Sequence, residues 1–176
     1  DCENAGTALR LLTAQASRFD RRLTLTGDAS LRGRPNGPLL KALRDLGAEV
    51  RADDGRAPIE IRGPIRSGLV SLGHQQSSQY TSALIMALCM VDGASFIRLE
   101  GELSSKPYVD LTMQICLAFG LEVGWVQDDQ GHGISIRGGQ RPRASEYRVE
   151  GDWSSAAFML VASALYQRPI TLQGLR

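Results

Sequence analysis

The sequence predicts an α/β protein built from a repeated unit, with hydrophobic helices inside and strands outside. Three observations carry that prediction. The stretch RPNGPLLKALRDLGAEVRADDGRAPIEIRG (34–63) is matched by KPYVDLTMQICLAFGLEVGWVQDDQGHGISIRGG (106–139). A second layer of matches, NAGTALRLLTA (4–14), SSQYTSALIMAL (77–88) and SSAAFMLVASAL (154–165), lies upstream of or beyond those copies. Strands alternate with helices throughout, the pattern of α/β packing.

Each long copy begins with a basic residue and proline. It continues as a helix with an apolar period of about 3.6 residues, and that helix stops at Leu-Gly or Phe-Gly, a C-terminal glycine signal. An E-V strand, a polar turn rich in Asp and Gly, and an I-x-I-R-G strand follow, which together read as a hairpin. The upstream helices start with small polar residues and are apolar over most of their circumference: Ala83, Leu84, Ile85, Met86, Leu88 and Met90 in one of them. Such helices are buried. Short strands are expected after each, in RLTLTG (22–27), SFIRLEG (95–101) and PITLQG (169–174). The unit is therefore helix, strand, helix, strand, strand, running twice and starting a third time.

Composition bounds the function. The chain has 176 residues, with 20 Lys and Arg against 19 Asp and Glu. Near-neutral charge gives no ground for bulk binding to nucleic acid. No apolar run is long enough to span a bilayer, and no signal peptide is evident, so no membrane association is expected. Cys2, Cys89 and Cys116 have no metal-ligand spacing and read as reduced thiols of a cytoplasmic protein. His74 and His132 stand apart and read as surface residues. Asp1 is not a start methionine, and a helical pattern begins almost at once. The chain reads as a piece of something longer.

The helix starts hold the chemistry. A helix N-terminus leaves N–H groups without partners and, with its dipole, favours an anion. Acids normally occupy that end, yet His74 to Tyr80 has several uncharged hydrogen-bonding groups and no acid. A serine before an apolar helix is an N-cap by default. Doubled serines beside Gln79 and Tyr80 also suit a phosphate; the cap stays the default, and both readings stand at this point. Arg34, before Pro35, brings a guanidinium able to bind carboxylate or phosphate in bidentate fashion. Its counterpart in the second copy is Lys106. The residues alone thus reach an anion-binding α/β repeat protein, and no reaction.

Five motifs, NAGTALR (4–10), TGDASLRGRP (26–35), SSQYTSALIM (77–86), GELSSKPYVDLT (101–112) and VEGDWSSAAFML (149–160), resemble in order and spacing those of the 5-enolpyruvylshikimate-3-phosphate (EPSP) synthase family. The resemblance implies an inside-out α/β architecture of βαβαββ units in two lobes. Residues 1–150 would be two units of the N-terminal lobe. Residues 151–176 would be the lobe crossover, near Glu150 to Asp152, and the start of the next unit. The implied reaction moves the enolpyruvyl group of phosphoenolpyruvate to the 5-hydroxyl of shikimate 3-phosphate and releases phosphate, in the shikimate pathway to aromatic amino acids. It needs no metal and no organic cofactor.

By the same resemblance, Ser77, Ser78, Gln79, Ser105 and Tyr108 would hold shikimate 3-phosphate. Gly6, Arg34 and Gln79 would hold phosphoenolpyruvate, with Gln79 and Arg34 contributing to catalysis. Asn4 matches an active-site amide, Asp152 a hinge-region acid, and Arg10 a structural support. The rest of its own polypeptide would supply the acid–base groups, so the chain alone is expected to be inactive. Gly6 implies room for glyphosate, a phosphonate mimic of phosphoenolpyruvate. Gln76, Asn36 and Ser104 depart from the usual apolar residues of the family. They read as drift, or as marks of a paralogue with another phosphorylated acceptor, such as a nucleotide.

Overall fold

The computed structural model describes residues 1–73, 77–101, 103, 105–128, 131–144 and 146–175, with only the backbone at Asp128 and Gly131. The readings for His74, Gln76 and Ser104 lie outside the described residues. The chain divides into two units, Asp1–Ala144 and Ser145–Arg176.

The first unit opens with α1 (Gly6–Ala16), which buries Gly6, Leu9, Thr13, Ala14 and Ala16. It is followed by β1 (Leu23–Leu25), a short α2 (Ala29–Arg32) and α3 (Gly37–Asp45). α3 buries Leu39, Leu40, Ala42 and Leu43 and exposes Lys41 and Arg44, the amphipathic split its period demands. Gly47 then takes a φ of 103°, and the Ala48 N–H donates to the Leu43 carbonyl at 2.9 Å, the expected glycine stop. β2 (Glu49–Asp53) and β3 (Arg56–Arg62) pair antiparallel. Their turn residues Asp54 and Gly55 both have positive φ, 44° and 68°, matching the right-handed twist of a two-residue hairpin. β1 joins the other edge of β3, giving the order β1-β3-β2.

β4 (Leu69–Leu72) is an element that sequence reasoning missed. Its four residues alternate between exposed and buried, too short a run to stand out from the Gly- and Ser-containing loop around it. After it come α4 (Gln79–Leu88), β5 (Ser95–Leu99), α5 (Lys106–Ala118), β6 (Val123–Asp128) and β7 (Gly131–Ile136). β4 and β5 are parallel, which requires the α4 crossover between them. The hairpin of β6 and β7 completes a sheet of order β4-β5-β7-β6. β4 to β7 is thus one full βαβαββ unit. The stretch from α1 to β3 follows the same order from its first helix, with α2 inserted.

Alternate strand residues face inward: Ile59 and Ile61, Val70 and Leu72, Ile97 and Leu99, Ile134 and Ile136 are all buried. All but Ile59 meet α4, in which Tyr80 to Ile85, Ala87 and Leu88 are buried, whereas Ile59 packs with Leu9, Leu31 and Leu40. One apolar cluster joins α1, α3, α4 and α5 to β3, β4, β5 and β7. Helices inside and sheets outside is the architecture the sequence predicted.

The second unit corrects two expectations. α6 (Trp153–Tyr166) forms, but only Ala156 in it is buried, and Phe158 and Leu165 are 75% and 76% exposed. PITLQG (169–174) forms no strand. A strand exists by pairing, and an apolar helix is buried only where something packs on it. Among the described residues of this unit neither partner is present. No described helix is long and apolar enough to cross a membrane.

Candidate active-site cleft

The starts of α4 and α5 open on a cleft of ≈ 740 Å³. Its polar end is lined by Thr7, Ser77, Ser78, Gln79, Ser105 and Tyr108, and it runs onto an apolar floor that includes Leu11, Met86 and Leu111. Both helices begin without an acid in the first turn and without a cap bond from the N-cap side chain. Ser78 and Ser105 occupy the N-cap positions, yet neither hydroxyl caps its helix. Ser77 Oγ accepts from the Gln79 N–H at 3.3 Å. The default reading of Ser78 as the cap of α4 therefore fails, and Ser105 does not cap α5 either. What remains is two positive helix ends and a set of hydroxyls around one concave surface, an arrangement suited to an anion. Ser105 has φ 59° and ψ 46°, a left-handed conformation that serine adopts at a cost. Ser82 and Thr112 hydroxyls, 2.8 Å apart, tie α4 to α5 beside it. Tyr108 is 60% exposed on the cleft wall.

The third small-polar helix start differs. Asp152 caps α6, accepting from the Ser154 and Ser155 N–H groups at 2.9 and 3.1 Å and from the Ser155 hydroxyl at 2.5 Å. Those bonds, the Ser155 hydroxyl foremost, hold its carboxyl below the usual carboxylate range. Ser154 and Ser155 are thus engaged by an acid of their own chain.

A second cluster forms at the start of α1. Gly6 is buried there, and a Cβ on it would stand 3.0 Å from Arg34 Nη1. Arg34 Nη2 donates to Asn4 Oδ1 at 2.5 Å, and Asn4 Nδ2 donates to Asp28 Oδ2 at 2.7 Å. Asp28 caps α2 through the Leu31 N–H. That bond, then the Asn4 amide and the Arg34 charge, keep its carboxyl below the usual range. Asn4, predicted only as an active-site amide, is thus the link between an acid and the Arg34 guanidinium. Lys106, the counterpart of Arg34 by repeat, is instead committed to Asp110 at 2.9 Å and sits 4.6 Å over the Trp125 ring. His132 is exposed and stacks on that same ring.

Arg10 joins the two clusters. Its Nη1 donates to Gln79 Oε1 at 2.5 Å, its Nη2 to the Pro35 carbonyl at 3.1 Å and its Nε to Asn36 Oδ1 at 3.2 Å. Sequence reasoning gave Arg10 a supporting part. It missed Asp28 as a neighbour of the site. Asp28, standing before Ala-Ser-Leu-Arg, carried a legible N-cap signal.

The family model of EPSP synthase (3-phosphoshikimate 1-carboxyvinyltransferase) matches residues 1–176. The chain belongs to the EPSP synthase family. Family members named 3-phosphoshikimate 1-carboxyvinyltransferase include one from Methanothrix thermoacetophila, 46% identical over 94% of this chain, and one from Halobacterium salinarum, 44% identical over 94%. The chain spans 38% of the length of both relatives. Among solved structures, an EPSP synthase of Acinetobacter baumannii superposes with a TM-score of 0.74 at 31% identity, over 93% of this chain and 35% of that one. The motifs shared with the family thus sit in a fold shared with it.

Proposed function

We propose that the chain forms one wall of the active site of a cytoplasmic transferase that moves the enolpyruvyl group of phosphoenolpyruvate to the 5-hydroxyl of shikimate 3-phosphate. On this reading residues 1–150 belong to the N-terminal lobe and residues 151–176 to the crossover and the next unit. The remaining polypeptide supplies the groups that move protons. The observation that carries the reading is the pair of acid-free starts of α4 and α5, neither capped by its own N-cap serine, opening on one cleft in a chain of this family.

Ser77, Ser78 and Ser105 would donate to the phosphate of shikimate 3-phosphate, with the α4 and α5 dipoles opposing its charge. Tyr108 would line the same subsite. Arg34 would pair with phosphoenolpyruvate beside Gly6, and Gln79 would donate between the two substrates. Two anions held in register become an effectively intramolecular pair, a large share of the rate enhancement in such a transfer. Asp152, engaged as a helix cap, would belong to the hinge region.

Turnover by the full-length protein tests this. With phosphoenolpyruvate and shikimate 3-phosphate, phosphate release is expected, and a UDP-sugar acceptor should give none. Release with the nucleotide acceptor alone would assign the cleft to a different transferase.

A further inference from the structure

We infer that Asn36, acting through Arg10, is a positioning residue that holds Arg34 and Gln79 in register. The inference rests on the functional reading of the cleft given above.

Asn36 is 1% exposed. Burying an amide is unfavourable unless its hydrogen bonds are made. Here both ends are satisfied: Oδ1 accepts from Arg10 Nε at 3.2 Å, and Nδ2 donates to the Arg34 carbonyl at 3.0 Å. Its own N–H donates to the Gly55 carbonyl at 2.9 Å. Asn36 stands at the N-cap of α3, where an asparagine side chain would ordinarily cap the helix, yet it makes no such bond. The side chain is turned instead to the Arg34–Pro35 segment and to Arg10.

That segment is clamped from several sides. The Pro35 carbonyl accepts from Arg10 Nη2 at 3.1 Å and from the Tyr80 hydroxyl at 2.8 Å. The Arg10 guanidinium lies 5.1 Å from the Tyr80 ring centroid, a cation–π contact. Its remaining edge, Nη1, holds Gln79 Oε1. With Oε1 committed to a cation, Nε2 is the end of the Gln79 amide offered to an anion. One guanidinium therefore sets the backbone that carries Arg34 and the orientation of Gln79. Asn36 fixes that guanidinium and the Arg34 carbonyl together.

The test uses the full-length protein and two variants. Asn36→Leu removes both side-chain bonds. Asn36→Asp keeps an acceptor for Arg10 and loses the donor to the Arg34 carbonyl. Asn36→Leu should lower kcat/KM for phosphoenolpyruvate by about tenfold while KM for shikimate 3-phosphate changes by less than about threefold. Asn36→Asp sets a carboxylate oxygen against the Arg34 carbonyl and should recover only part of that loss, remaining about threefold below the parent. If Asn36→Leu fails to fold, a loss of about threefold in Asn36→Asp supports the inference, and unchanged kinetics overturn it. Parent-like kinetics with only a lowered melting temperature would mean a purely structural amide and overturn the inference alone. A parent without turnover overturns the functional reading as well.

Discussion

At the scale of single residues, Gly6 is where the smallest change has the clearest consequence. A methyl group there would meet Arg34 Nη1 at 3.0 Å, closer than such contacts ordinarily run, so the guanidinium end must yield. Gly6→Ala in the full-length protein should therefore weaken inhibition by glyphosate by about tenfold or more, since an anion bridging Gly6 and Arg34 loses both room and alignment. An unchanged inhibition constant would detach Gly6 from the subsite. The polar residues Ser77, Ser78 and Gln79 were legible in the sequence because they crowd a helix start that lacks an acid. The partners of Arg10, whose supporting part came from the family resemblance, were not. Its partners Pro35, Asn36 and Gln79 lie 25, 26 and 69 positions away, and only the packing of α1 against its neighbours brings them together.

At the scale of elements, α5 begins at a residue whose backbone and side chain pull in opposite directions. Ser105 holds a left-handed φ of 59°, which glycine would adopt freely. Ser105→Gly should raise the stability of the full-length protein by up to about 1 kcal/mol, read by chemical denaturation. It should also raise KM for shikimate 3-phosphate by about tenfold through the lost hydroxyl. Lower stability would contradict the backbone strain at Ser105, and an unchanged KM would contradict its proposed place in the site. Such local features are where sequence reasoning did best. The Gly47 and Gly120 helix stops and the Asp54-Gly55 turn all take the positive φ that their sequence context demands. Elements that depend on distant partners were less legible. β4 is defined by its parallel register with β5, from Leu69 opposite Phe96 to Leu72 opposite Leu99, which no local pattern encodes. α6 has the composition of a buried helix and lacks, among the described residues, the surface that would bury it.

At the scale of the whole molecule, the chain spans 38% of the relatives' length and contains helix starts, hydroxyls and a guanidinium suited to two anions. The proposed division of labour puts substrate recognition largely on this chain and proton transfer on the rest. Trp153, Phe158, Leu165 and Tyr166 form exposed apolar surface on α6, of the kind that a further repeat unit covers.

The central claim is that the α4 and α5 starts form a phosphate cradle. Calorimetric titration of the full-length protein with shikimate 3-phosphate, in parent and in Ser77→Ala, tests it most directly. A hydrogen bond to a charged phosphate contributes about 1.5–3 kcal/mol. The parent should therefore bind, and Ser77→Ala should bind about tenfold more weakly or worse. Equal affinity in both, or no binding by the parent, would contradict the cradle.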